Sequence, residues 1–182
     1  ALIKYWGKKD LEKNIPAAPS LSIGIEDLRT DTKISKSRRD TDTLVGKFKK
    51  SEEQRILNYV SMAKKLLGVS GGLEIETENN FPASSGLASS ASGFAAIALG
   101  IDKFYGLDMP REDISRLARL GSGSAARSIY GGFVQMDTGP DPSAKPLIVE
   151  DPWPLDILVL VTEEQPKKMS STDSMNLTKD TP

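Results

Sequence analysis

Apolar and polar positions recur along this chain in two rhythms, and the switches between them outline the elements. Ser20-Leu21-Ser22-Ile23-Gly24-Ile25 alternates with period two, which predicts a half-buried strand. Arg29–Ser35 and Thr43–Lys49 read as more exposed strands on either side of a charged loop, Lys36-Ser37-Arg38-Arg39-Asp40. The rhythm then changes. Ile56, Leu57, Val60, Ala63, Leu66 and Leu67 fall on one helical face, with Ser51 as expected cap, Glu52 and Glu53 in the first turn and Gly68 as the stop. Leu73–Glu78 alternates again, and a helix of small residues is expected from Ala88 to about Lys103. Asp108-Met109-Pro110 opens a further helix through Arg119, with proline at its tolerated first position. Gly121-Ser122-Gly123-Ser124 should interrupt it before a short helical piece ending at Ile129. Phe133–Thr138, Pro146–Val149 and Leu155–Val161 complete the strands, the last a nearly unbroken apolar run and so expected to be central. Strands interleaved with helices but without regular βαβ alternation predict an α+β fold.

Composition mainly excludes. The 182 residues contain no cysteine and no histidine. Disulfides, thiolate metal sites, histidine bases and almost every zinc site are therefore ruled out, and catalysis must rest on Lys, Arg, Asp, Glu, Ser, Thr or Tyr. A formal net charge of -1 gives no reason to expect nucleic acid or an anionic membrane as partner. No apolar run approaches the roughly 20 residues of a membrane span, and there is no signal peptide at the start, so a cytoplasmic setting is the expectation. The opening Ala1-Leu2-Ile3-Lys4 and the closing Lys179-Asp180-Thr181-Pro182 both read as cuts through a longer protein.

Four segments carry candidate chemistry. In Pro82-Ala83-Ser84-Ser85-Gly86-Leu87-Ala88-Ser89-Ser90-Ala91-Ser92-Gly93 a strand gives way to a helix that starts with small hydroxylated residues. Free amides and the positive end of the helix dipole suit an anion there, and the serine hydroxyls suit phosphate or magnesium. The segment is neither a Walker loop nor a Gly-x-Gly-x-x-Gly motif, and a plain tight turn is the competing reading. Gly121-Ser122-Gly123-Ser124-Ala125-Ala126-Arg127-Ser128 suits a second anion, its arginine offering a planar fork; a glycine-broken helix with a solvated arginine is the alternative. Lys4-Tyr5-Trp6-Gly7-Lys8 sets two cations among aromatics, either closing an anionic pocket or forming an edge strand with snorkelling lysines. Met169-Ser170-Ser171-Thr172 is hydroxyl-rich and is also explained by a loop or helix cap. Lys47, Lys49 and Lys50 read as a solvated face.

These segments occur in one order together with Asn79-Asn80-Phe81-Pro82 and Tyr130-Gly131-Gly132-Phe133, and the series resembles the mevalonate diphosphate decarboxylases of the GHMP kinase superfamily. The resemblance runs from Ala1 to about Thr178. The Pro82–Ala91 loop points only to the superfamily; the Lys-Tyr-Trp-Gly-Lys and Gly-Ser-Gly-Ser-x-x-Arg-Ser segments point to the decarboxylase branch. It implies a GHMP-kinase-type ATP-binding domain over residues 1–150, a mixed or antiparallel sheet packed with helices, and at 151–182 the start of a ferredoxin-like C-terminal domain largely missing from this chain. It further implies ATP-dependent decarboxylation of mevalonate 5-diphosphate to isopentenyl diphosphate, with ATP and Mg2+ required and a homodimer as assembly. Pro82, Ser84, Ser85, Gly86, Leu87, Ala88, Ser89 and Ser90 would hold ATP phosphates, with Ser89 or Ser90 near magnesium. Ser122, Ser124 and Arg127 would face the substrate, Arg127 gripping its carboxylate. Tyr5, Lys8 and Ser170 or Ser171 would contact the diphosphate, and Lys4 would sit beside the catalytic aspartate.

This sequence departs from the family pattern twice. The family's Asp-Ala-Gly-Pro-Asn segment has no counterpart here, and Gly139-Pro140-Asp141-Pro142 is expected to be a surface loop, so the catalytic aspartate is expected beyond Pro182. Ala18 and Pro19 also replace the Asn and Ser of many relatives, which bears on substrate identity. The rival readings are a mevalonate 3-kinase or phosphomevalonate decarboxylase of the same superfamily, and a non-catalytic nucleotide- or metabolite-binding module. Retention of both Lys4 and Arg127 favours decarboxylation over the 3-kinase.

Overall fold

The computed structural model describes residues 1–81, 89–147, 155–160, 174, 175 and 177. The chain is α+β. β1 (Lys8–Asp10) and β2 (Ile15–Pro16) form a short ribbon. β3 (Ser20–Ile23) pairs antiparallel with β7 (Phe133–Met136), which pairs with β8 (Ala144–Pro146). A mixed sheet has β6 (Leu73–Asn79) at its centre, antiparallel to β4 (Thr30–Lys36) and parallel to β5 (Thr43–Val45).

Between β5 and β6 runs α1 (Lys50–Leu67); α2 (Ser89–Tyr105) and α3 (Arg111–Gly121) follow β6, and a 3-10 helix spans Gly123–Ile129. The main core joins Val60 and Ala63 of α1, Ile75 of β6, Phe94 and Ile97 of α2 and Leu117 of α3. At the core's centre Tyr59 meets Phe94 edge to face at 4.9 Å and donates its phenol to the Leu117 carbonyl at 3.2 Å. Burial pushes that phenol's pKa above its usual range. A second cluster of Tyr5, Ala126, Val134, Met136, Ala144 and Met175 lies against the β3–β7–β8 sheet. That sheet and the 3-10 helix hold the region described below.

Several boundaries differ from expectation for local reasons. Ser51 does not cap α1: the helix starts two residues earlier, with Lys49 as its N-cap, and the Glu52 and Glu53 amides donate to the Lys49 carbonyl. Gly68 does end it, at a φ of 66° that favours glycine. Leu66 is 62% exposed, whereas Tyr59, two turns earlier on nearly the same helical stripe, is buried. β5 stops at Val45, before Gly46 at φ 135°. Pro110 is the N-cap of α3 rather than its first residue, and α3 continues through Gly121. β7 ends at Met136, short of Thr138, and the next strand lies at Ala144–Pro146 rather than Pro146–Val149, of which 148–149 lie outside the described residues. The largest miss is Leu155–Val161: residues 155–160 form no strand, with Leu158 and Leu160 85% and 78% exposed, and Val161 lies outside the described residues. An apolar run becomes a central strand only when other strands flank it, and none of the described strands pairs with this one.

Candidate functional site

The Lys4–Lys8 segment enters beside β3, where Ile3 and Leu21 form an antiparallel bridge. Extended backbone sends neighbouring side chains to opposite sides. Lys4 is accordingly exposed and lies 5.2 Å from the Trp6 ring centroid, whereas Tyr5 is buried with its ring 5.9 Å from the Arg127 guanidinium carbon. Burial raises the Tyr5 phenol pKa, and the Arg127 charge opposes that rise.

Arg127 comes from the 3-10 helix and is 5% exposed. Its Nε donates to Ser22 Oγ at 2.7 Å and its Nη1 to Ser20 Oγ at 2.6 Å. The Ser20–Ile23 alternation is therefore real, but at Ser20 it is the polar face that turns inward. Burial lowers the Arg127 pKa, with Tyr5 acting in the opposite sense. Among the described residues Arg127 has no carboxylate partner. Two hydroxyls satisfy one side of the fork without neutralising it, which leaves a fixed positive charge able to receive an anion.

The Gly121–Ser124 turn packs against Tyr5. A Cβ at Gly123 would collide with the Tyr5 hydroxyl, so glycine is required for the close approach. Ser122 and Ser124 lie with their hydroxyl oxygens 3.3 Å apart. Lys8 donates to Asn14 Oδ1 at 2.7 Å, and Asn14 Nδ2 donates to the Leu120 carbonyl at 2.9 Å. Burial lowers the Lys8 pKa and the nearby Arg55 charge adds to the effect. Arg55 itself donates to the Gly121 carbonyl at 2.9 Å and lies 4.8 Å from the Phe94 ring centroid. Tyr5, Lys8, Ser122, Ser124 and Arg127 are thus brought into one neighbourhood.

Arg55 also faces a cleft of about 90 Å³. Phe48, Ile56, Phe94 and Ile97 supply its apolar surface, while Thr77, Asn79, Ser89 and Ser90 supply polar groups. An apolar bed with a few hydroxyls and amides at the start of α2 has the lining of a nucleotide subsite, with room for only part of a nucleotide. Pro82, Ser84, Ser85, Gly86, Leu87 and Ala88 lie outside the described residues, as do Ser170 and Ser171. Ser89 and Ser90 offer magnesium only neutral oxygens, and no group of three or more acidic side chains that could hold a metal is found among the described residues. That donor set fits an ion held chiefly by phosphate oxygens and water.

Residues 1–146 match the family model described as the diphosphomevalonate decarboxylase-like N-terminal domain. The chain belongs to that family. It is 37% identical to the diphosphomevalonate decarboxylase of Saccharomyces cerevisiae over 98% of its own length and 51% of the yeast protein's. The mevalonate diphosphate decarboxylase structure from Staphylococcus aureus superposes with a TM-score of 0.76 at 39% identity, over 81% of this chain and 47% of that one. The structure of MDDEF in complex with MVAPP, AMPPCP and magnesium superposes at 0.80 with 31% identity, over 96% and 56%. The chain thus spans about half the length of the curated relatives it matches.

Within this decarboxylase-like domain the sequence reading missed Ser20, Ser22, Asn14, Arg55 and Arg119. Only the serines carried a local signal, a shared strand face. The others act on partners remote in sequence: Arg55 on Gly121, and Arg119 on Lys13, Asp141 and Pro142. Among the described residues, no helix is long and apolar enough to cross a membrane.

Proposed function

We propose that this chain is the nucleotide- and substrate-binding part of an ATP-dependent decarboxylase acting on mevalonate 5-diphosphate. Residues 1–150 form the ATP-binding domain in this reading and 151–182 begin a second one that supplies the catalytic aspartate. The observation that carries it is Arg127, a buried cation whose described hydrogen-bond partners are the neutral hydroxyls of Ser20 and Ser22. Such a site suits a small substrate carboxylate, and Lys8 beside it suits a second anionic group. The cleft at the start of α2 suits part of ATP, and Arg55 lies between the two.

The roles follow from the chemistry. The tertiary hydroxyl of the substrate takes the γ-phosphoryl group of ATP, with Ser89 or Ser90 and the preceding loop holding the phosphates. Magnesium neutralises their charge when bound. The bond to the carboxylate then breaks, its electron pair forms the new alkene, and the added phosphate departs, giving isopentenyl diphosphate, carbon dioxide, ADP and phosphate. Arg127 orients the carboxylate, and Tyr5, Lys8, Ser122 and Ser124, with Ser170 or Ser171, hold the rest of the substrate. Lys4 lies beside the aspartate. None of these steps requires histidine, because phosphoryl transfer rests on positioning and charge neutralisation. A cytoplasmic homodimer is the setting this reading carries.

The test is carbon dioxide release by the full-length protein with magnesium and ATP, comparing mevalonate, its 5-phosphate and its 5-diphosphate. Release from the diphosphate alone is expected. Phosphorylation of mevalonate without carbon dioxide would identify a 3-kinase, and release from the monophosphate would change the substrate. ATP binding with no turnover of any of the three would leave a binding module.

A further inference from the structure

Asn14 closes the turn between β1 and β2 with a φ of 52°, a left-handed conformation that asparagine tolerates better than most residues. The turn is pinned by parts of the molecule remote in sequence. Arg119 Nε donates to the Lys13 carbonyl at 3.0 Å, and the Lys13 amide donates to Asp10 Oδ1 at 2.8 Å. The Asn14 side chain then reaches two ways, accepting from Lys8 Nζ at 2.7 Å and donating to the Leu120 carbonyl at 2.9 Å. An amide carries a neutral acceptor and a donor on separate atoms of one short side chain, so it can face two partners at once. Leu120 directly precedes the Gly121–Ser124 turn, and a Cβ at Gly123 would lie 3.2 Å from the Asn14 carbonyl oxygen. One residue therefore ties a lysine of the first segment to the serine-bearing turn that packs on Tyr5.

We propose that Asn14 is a positioning residue: it holds the Lys8 ammonium in register with Ser122 and Ser124 so that they engage the substrate's diphosphate together. The amide directs Lys8 without neutralising it, whereas a carboxylate at this position would hold the ammonium as an ion pair and compete with phosphate oxygens. This inference rests on the diphosphate contact assigned to Lys8 above.

The experiment uses the full-length protein with Asn14→Ala, Asn14→Asp and Asn14→Gly, and Lys8→Met as reference. Asn14→Ala is expected to raise KM for mevalonate 5-diphosphate roughly tenfold, the loss of one charge-assisted hydrogen bond, with kcat and KM for ATP changed less than about twofold. Asn14→Asp should raise it further. Asn14→Gly relaxes the left-handed backbone, so it should keep the wild-type Tm yet show the alanine defect. The inference is overturned if Lys8→Met raises KM while Asn14→Ala does not. It is equally overturned if Asn14→Gly, with its backbone relaxed, restores wild-type KM, which marks a scaffold role alone. A normal KM in Lys8→Met would remove the diphosphate contact itself, and this inference with it.

Discussion

Arg119 and Arg127 are both buried, at 1% and 5% exposure, yet their surroundings are opposite. Arg119 is saturated. Its Nε donates to the Lys13 carbonyl, Nη1 to the Pro142 carbonyl, and Nη2 to Asp141 Oδ1 at 2.5 Å. Every arm of the guanidinium ends on an oxygen, one of them anionic, and the result ties α3 to the β1–β2 turn and to the 141–142 loop. Arg127 instead has two serine hydroxyls and the face of Tyr5, with its pKa lowered by burial. A buried cation needs a counter-charge. At Arg119 the fold supplies it; at Arg127 the described fold does not, and a substrate carboxylate would. Burial alone therefore does not distinguish a structural arginine from a functional one. The partner list does.

Three experiments bear on that contrast. Arg127→Lys keeps the charge but loses the planar fork. Carbon dioxide release should fall about a thousandfold in kcat/KM, equivalent to about 4 kcal/mol of transition-state stabilisation, with little change in Tm. Turnover close to wild type would remove Arg127 from the site. Arg119→Met should do the reverse. Removing one partner from a buried polar knot costs about 3 kcal/mol, read as a lower urea midpoint, while folded enzyme keeps its kcat. An unchanged midpoint would show that the knot carries no stability.

The smallest effect concerns Lys8 in the Arg127 neighbourhood. Its ammonium form is the one that attracts phosphate, and its pKa is lowered by burial and by Arg55. Affinity for the diphosphate is therefore full below that lowered pKa and lost as pH rises through it. KM should climb a few-fold at a pH below the ordinary lysine value of about 10.4. A KM that stays flat up to that value would mean Lys8 is not the group involved.

The same contrast marks where sequence reasoning reached and where it stopped. β6 and α1 were legible because burying one face imposes a period of two or of 3.6 on the residues themselves, and α2 through its run of small residues. The Gly121–Ser128 segment stood out for its two glycines, small hydroxyls and following arginine; that Gly123 admits the Tyr5 hydroxyl and Gly121 the Phe94 ring was not legible, because those partners are remote in sequence. Leu155–Val161 was misread because its pattern records an affinity for burial but not the partner that provides it.

The sequence by itself determined the α+β class, the main helices and the candidate donor clusters, since each is a property of neighbouring residues under fixed backbone geometry. Only the tertiary structure decided that Ser20 and Ser22 face inward to hold Arg127, that Asn14 joins Lys8 to Leu120, and that Arg119 rather than Arg127 is the saturated arginine. Those facts depend on groups remote in sequence meeting at hydrogen-bond distance, and no local periodicity encodes such a meeting.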